Sequence, residues 1–289
     1  MLCISRPART KTLPALLFLA LSLFNLSTSQ AQEPTLSERA LIQLNAYRRA
    51  AGLESVKLDP VLSRGCLAHA EYLVKNSRHP STEGLGAHDE NPQLPGFSEE
   101  GRKAARAANI SFGHPPLAAI DCWVNSLFHR IPILDPTLKS VGFGHSQGGR
   151  WRYITVLDVE RGRDRSKTDK IVCFPAEGMT NVPLALQPGE TPDPIPKDPD
   201  KRAGYPITIT FPLGAKVSAA AATLVLDNQE VDAWLSTPEQ PVDARFQRNT
   251  LGLIAKEPLL PGRTYTVNAS AQVDGNEWKQ SWTFTTASR

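Results

Sequence analysis

The chain is poor in the features that most directly name a function. Of 289 residues only four are cysteine. Cys3 lies in a stretch that reads as a removable leader, which leaves Cys66, Cys122 and Cys173. Their wide spacing argues against the closely set ligand pairs of a zinc site. In an exported, oxidising setting the default for three cysteines is one disulfide and one free thiol, and the spacing does not say which two pair. H-E-x-x-H is absent, which argues against a standard zinc protease. G-x-S-x-G is absent too, so no nucleophile elbow is offered. No segment repeats. No apolar run is comfortably long enough to cross a bilayer, since Ala15 to Leu26 (ALLFLALSLFNL) is short for a span.

Charge of one sign is also missing. Arg6, Arg9 and Lys11 precede that apolar core and Ser29-Gln30-Ala31 follows it with small residues, so residues 1–31 read as a secretory signal peptide cleaved near Ala31. The basic start has no twin arginines, and no cysteine follows the core to carry a lipid. Taking away those three cations leaves 29 of the 32 lysines and arginines against 29 aspartates and glutamates. A near-neutral mature chain gives no electrostatic case for nucleic acid or for an anionic membrane surface. The expected location is periplasmic or extracellular, with no transmembrane segment in the mature chain.

What is present begins with helix signals. Thr35-Leu-Ser-Glu38 is a capping box, and Leu41, Leu44, Tyr47 and Arg48 follow at helical spacing up to Gly52. Asp59-Pro60 starts a second helix, carried by Leu62, Cys66, Ala70 and Leu73 to about Asn76. Periodicity then vanishes from Ser77 to Gly96, a Gly-, Pro- and Asn-rich loop of the kind that often carries function. Ser98 caps a short helix from Glu99 to about Ala107. Ile120, Trp123, Val124 and Leu127 form the stripe of a further helix. His129 and Arg130 fall in its expected last turn, where a cation complements the dipole, and Pro132 is expected to stop it. Ser140–Gly144 and Arg150–Val159, joined through Gly148-Gly149, read as a hairpin.

Beyond a charged stretch, Gln187 to Arg202 holds five prolines and reads as a linker or extended loop. Strand signals follow without helix patterns. Asp227-Asn228 and Asp274-Gly275 mark two hairpins, which together suggest a β-sandwich. Trp278 and Trp282 either line a glycan-binding face or fill the space between sheets.

The run W-x-N-S-x-x-H-R-x-x-x-L-D-P-x-L-x-x-x-G-x-G, carried by Trp123, Asn125, Ser126, His129, Arg130, Leu134, Asp135, Pro136, Leu138, Gly142 and Gly144, resembles the bacterial branch of the CAP superfamily. That superfamily holds the cysteine-rich secretory proteins, insect venom antigens and plant pathogenesis-related proteins. The helix L-x-x-L-N-A-Y-R-R-A-A-G-L from Leu41 to Leu53 and the segment Leu62 to Leu73 fit it as well. Leu260-Pro261-Gly-Arg-Thr-Tyr265, followed by Trp282-Thr-Phe-Thr-Thr286, is similar to bacterial immunoglobulin-like modules, with Tyr265 placed like a corner tyrosine. The resemblance implies an α+β protein: a CAP-type α-β-α sandwich over residues 33–165, a proline-rich linker over 166–202, and an all-β immunoglobulin-like sandwich over 203–289.

Many CAP domains set two histidines and two glutamates in a cleft able to hold a divalent ion. His129 matches one histidine and His88 is the best match for the other. The glutamate of the family's G-E-N-I motif is replaced by Ala108, and the second glutamate faces Asn125 or Ser126. Glu90 is the available substitute. His88, His129 and Glu90 are therefore the candidate catalytic residues. His88 and His129 are the candidate ligands for a weakly held zinc or magnesium ion that the fold does not require, and Asn125, Ser126, Arg130 and Asn109 are expected around the cleft. Ser126 and Ser146 are candidate nucleophiles only by proximity in sequence. The resemblance implies a binding or interaction protein for a lipid or other small apolar ligand, with an envelope or protein partner engaging the C-terminal part. The rival reading is a metal- or histidine-dependent hydrolase of peptide or ester bonds.

Overall fold

In the computed structural model the described residues are 33–164, 166, 168–195 and 202–288. The leader expected over residues 1–31, with its cleavage site, lies outside them. Residues 34–289 form one compact unit. No described helix is long and apolar enough to cross a membrane.

The first part contains α1 (Leu36–Ala50), β1 (Lys57–Leu58), α2 (Pro60–Lys75), α3 (Glu99–Ala105), β2 (Ala108–Phe112), α4 (Pro116–Val124), α5 (Arg130–Ile133), β3 (Ser140–Gly148) and β4 (Trp151–Asp158). The strands pair in the order β1-β3-β4-β2. Alternation along β4 decides which helices lie on which face. Ile154 and Val156 pack with Cys66, Ala70, Leu73 and Ala104 of α2 and α3. Leu157, with Val159 just past the strand end, packs with Leu44 of α1 and with Ile120, Trp123 and Val124 of α4. The result is a helix–sheet–helix sandwich with two separate cores.

Local signals hold this arrangement in place. Thr35 and Glu38 close the capping box in both directions, and Asp59 caps α2 at Val61 and Leu62. Arg48, fully buried, gives its guanidinium to the carbonyls of Ile133 (2.7 Å), Asp135 (3.0 Å) and Leu138 (3.2 Å). It thus fixes the turn after α5 by satisfying carbonyls that have no water to bond. Gly142 and Gly144 on β3 lie directly under α2. A Cβ on Gly144 would sit 2.2 Å from the Leu67 nitrogen, so the G-x-G spacing is a helix–strand contact distance.

The central helix is shorter than its apolar stripe suggests. α4 ends at Val124 with Asn125 as C-cap, and His129 is instead the N-cap residue of the four-residue α5, with Pro132 inside it. The expected interaction of His129 with a helix C-terminus is therefore replaced by its opposite, an N-terminal position that favours an anion. The loop from Ser77 to Gly96 is partly ordered into 3-10 turns at Pro80–Thr82 and Gly84–His88.

The remainder is strands: β5 (Val172–Phe174), β6 (Met179–Val182), β7 (Ile207–Thr210), β8 (Val217–Leu226), β9 (Gln229–Glu230), β10 (Ala233–Ser236), β11 (Thr250–Ala255), β12 (Thr264–Val273) and β13 (Asn276–Thr286), with a short α6 (Ala244–Gln247). They form one sheet ordered β10-β11-β7-β5 and another ordered β6-β13-β12-β8-β9. β5 and β6 come from the span read as linker, because Val172, Phe174 and Val182 find core positions in these sheets. Asp227 and Asn228, with φ of 51° and 62°, turn the β8–β9 hairpin, as a primed turn requires. Trp282 is buried and donates to the Pro175 carbonyl at 2.8 Å. The Tyr265 hydroxyl accepts the Leu260 N–H at 2.8 Å.

The three described cysteines, Cys66, Cys122 and Cys173, form no disulfide and are free thiols. They belong to separate surroundings. Cys66 is on the buried face of α2, Cys122 is on α4 beside a surface hollow, and the Cys173 sulfur faces Gln280. Burial pushes the thiols of Cys66 and Cys173 up to about 12, so the reactive thiolate is suppressed at both.

Candidate functional site

His88 and His129 line one cavity of about 460 Å³. His88 ends the second 3-10 turn, and its ring Nδ1 donates to the Ala105 carbonyl at 3.1 Å. Burial, together with the nearby His129 and His69, holds His88 below its ordinary 6.5 despite that bond. His129 arrives from the opposite side at the start of α5. Its carbonyl accepts from the Asn109 side chain at 2.9 Å, which ties α5 to β2. The same cavity is lined by the apolar Ala107, Ala108, Phe128, Pro132 and Val159, by the polar Asn109, Glu160, Thr191 and Arg106, and by Arg245, Phe246 and Arg248. The last three come from the C-terminal part, which therefore helps build the cavity. Arg248 holds φ 53° and ψ −142°, a strained conformation for a residue with a side chain. It is anchored by Glu160 and lies 3.8 Å from Asp135.

The carboxylate at this site is one that sequence reasoning missed. Glu190, buried and brought in by the proline-rich segment, accepts the backbone N–H groups of Leu127 (2.8 Å), Phe128 (2.7 Å) and His129 (2.9 Å), and the His129 ring Nδ1 at 2.8 Å. Burial alone would raise its pKa, but the His129 ring and the backbone donors outweigh this and leave it below its ordinary 4.5. The only available sequence signal was an isolated glutamate between Pro188-Gly189 and Thr191-Pro192. A partner 61 residues away leaves no periodic trace.

Other expected residues are placed elsewhere. Glu90 does not reach the cavity: His69 Nδ1 meets it at 2.8 Å, and its other oxygen accepts the Ser98 N–H at 2.9 Å. Arg130 is wholly buried between the rings of Phe174 (4.9 Å) and Tyr205 (4.7 Å) and donates to the carbonyls of Val124 and Pro206. It fastens α5 to the C-terminal sheets. Asn125 accepts the Tyr205 hydroxyl at 3.0 Å and does not line the cavity. Of the expected cleft residues Asn109 does line it. Ser126 borders a neighbouring hollow of about 350 Å³, shared with His114, Cys122, Trp151 and Glu190. Its hydroxyl donates to the Trp123 carbonyl at 3.0 Å.

These residues do not fit a metal centre. The described residues hold no group of three or more histidines, cysteines, aspartates or glutamates able to grip an ion. Each imidazole has spent one nitrogen, and both Glu190 oxygens are taken up by N–H groups. Two imidazoles without a free carboxylate make a weak donor set.

A three-layer α-β-α domain with a paired-histidine cavity is the class that fold and site define. Residues 41–159 match the family model described as CAP, the cysteine-rich secretory protein family, which supports placing this part of the chain in the CAP superfamily. No curated protein matches the chain.

Proposed function

We propose that this is an exported bacterial binding protein that holds a lipid or other small apolar ligand in the cavity between His88 and His129. In this reading residues 1–31 direct export to the periplasm or beyond. The strands after residue 203 form an immunoglobulin-like sandwich that engages an envelope component or a protein partner. The observation that carries the reading is the cavity itself: its volume lies within the usual range for ligand sites, and Ala107, Ala108, Phe128, Pro132, Val159 and Phe246 give it apolar surface beside the two histidines and the arginines. Its lining includes no serine or cysteine among the described residues, and Thr191 is its one hydroxyl. The test is native mass spectrometry of the purified protein. A retained small molecule lost in a His129→Ala variant of native fold supports the reading, and a wild type that takes up no lipid or apolar probe counts against it.

One observation favours the rival hydrolase. A histidine oriented by a buried carboxylate, with open space before it, is the arrangement of a general base acting on water. A screen against peptide, ester and cell-wall substrates decides. Turnover that vanishes in both His88→Ala and His129→Ala, with the fold intact by circular dichroism, replaces the binding reading.

A further inference from the structure

We propose that Glu190 is a positioning residue of the His88–His129 cavity, supplied by the proline-rich segment, and that it fixes the tautomer of His129 so that Nε2 is the nitrogen offered to a ligand. The inference rests on the reading of this cavity as the binding site.

Glu190 already accepts three backbone N–H groups. A carboxylate so placed is ionised and can only accept. The ring nitrogen 2.8 Å from its Oε1 must therefore carry a proton. In neutral His129 that leaves the lone pair on Nε2, which has no partner among the described residues. His88 obeys the same logic from the other wall. Its Nδ1 faces a carbonyl, a carbonyl can only accept, and its lone pair is again on Nε2. One cavity thus holds two imidazoles whose tautomers are both set by the atoms behind them. The ligand they suit is one that presents a polarised O–H or N–H hydrogen.

The segment carrying Glu190 is docked at more than this point. Leu186 N–H bonds the Ala203 carbonyl at 3.0 Å and Gln187 N–H bonds the Asn125 carbonyl at 3.2 Å. Pro188, Gly189 and Glu190 wall the hollow on the far side of the His129 ring. The segment is thereby a structural part of the site. It supplies a carboxylate to a domain whose own strand has Ala108 where the related motif has glutamate.

Two- and three-bond proton–nitrogen correlation spectra of the full ¹⁵N-labelled chain test this directly. Spectra are taken at about pH 8.5, well above the ordinary histidine value of about 6.5, and His129 is assigned by the signals missing in His129→Gln. The expected wild-type pattern is a protonated Nδ1 and an unprotonated Nε2. Glu190→Ala should convert it to the Nε2–H form that imidazole favours in water. A wild-type His129 protonated on Nε2 overturns the proposal. So does an unchanged tautomer in Glu190→Ala with native circular dichroism. If that variant does not fold, the wild-type spectrum still decides. The measurement reads the ring and not the ligand, so failure to find any bound molecule would defeat the binding reading while leaving this result standing.

Discussion

His69 Nδ1 and Glu90 Oε1 are 2.8 Å apart with both side chains fully buried, so a carboxylate within two residues of His88 is committed to the loop's own structure. The second His69 nitrogen bonds the Ala87 carbonyl at 2.9 Å, and the second Glu90 oxygen accepts the Ser98 N–H. The pair pins the loop carrying His88 to α2 and to the start of α3.

Removing either partner leaves the other buried and unmatched. His69→Leu and Glu90→Leu should each lower the unfolding free energy by about 3 kcal/mol, the cost typical of breaking a buried pair. The double variant should lose less than the sum, since both single changes destroy one interaction. Urea unfolding of the four proteins measures this, and strictly additive losses would show that the two side chains act independently.

Acid should weaken the protein through His88 and Glu190. Both are held below their ordinary values of 6.5 and 4.5, so at intermediate pH each binds fewer protons folded than unfolded. Their stabilisation is complete above the ordinary value and disappears as pH falls through the folded value. The His88 contribution should fade downward from 6.5 and the Glu190 contribution downward from 4.5. The stability difference between wild type and His88→Gln, followed by denaturant midpoints, should shrink as pH falls below about 6.5. A difference independent of pH over that range contradicts the assignment.

How legible the molecule is from sequence depends on the range of the interaction. The capping box at Thr35, the Asp59-Pro60 start, the β3–β4 hairpin and the Asp227-Asn228 turn are local rules, and each appears where the sequence puts it. Gly142 and Gly144 were visible as a motif, while their physical reason, contact with α2, is a tertiary fact. The end of α4 was misplaced because apolar spacing continues through Leu127, whereas Glu190 takes the free N–H groups there and restarts the helix at His129. The family resemblance places Arg130 at the cleft with His129, but one residue along a helix turns a side chain by about 100°. Composition marks 187–202 as rich in proline and conceals a buried carboxylate, Glu190, among its described residues.

The contact between α2 and β3 predicts a sharp cost for one methyl group. In Gly144→Ala the new Cβ would meet backbone atoms, Leu67 N at 2.2 Å and the Cys66 carbonyl carbon at 2.4 Å. Backbone cannot yield as a flexible side chain does, so α2 must lift off the sheet and loosen the core around Cys66, Ala70 and Val156. A loss of about 3 kcal/mol or more, or failure to fold, is expected for overpacking of this kind. Gly178→Ala is the control for methyl addition without a clash, since a Cβ there meets nothing within 4 Å. Its strain comes only from a positive φ of 69°. Thermal unfolding that ranks the two variants equally would remove the helix–strand contact as the reason for the G-x-G spacing.

Metal binding should be weak in the wild type and should respond to one substitution. Ala108 lines the cavity with His88 and His129 at the position where the related motif carries glutamate. Affinity for a divalent ion depends on the number and type of donors, and among the described residues of the cavity the carboxylate of Glu160 is held in ion pairs with Arg163 and Arg248, which leaves the two Nε2 lone pairs as the chief donors. Titration calorimetry with zinc should detect little or no heat from the wild type. Ala108→Glu adds a charged oxygen donor to the same wall and should tighten binding by at least an order of magnitude, while Ala108→Gln, neutral and of similar size, should do less. Both variants must be compared by circular dichroism, because Ala108 is nearly buried at 9 % exposure and a longer side chain has to turn into the cavity to be accommodated. Tight zinc binding by the wild type, abolished by His129→Ala, would mean that Glu190 or another side chain swings in to complete the site, and the two-imidazole description would be wrong.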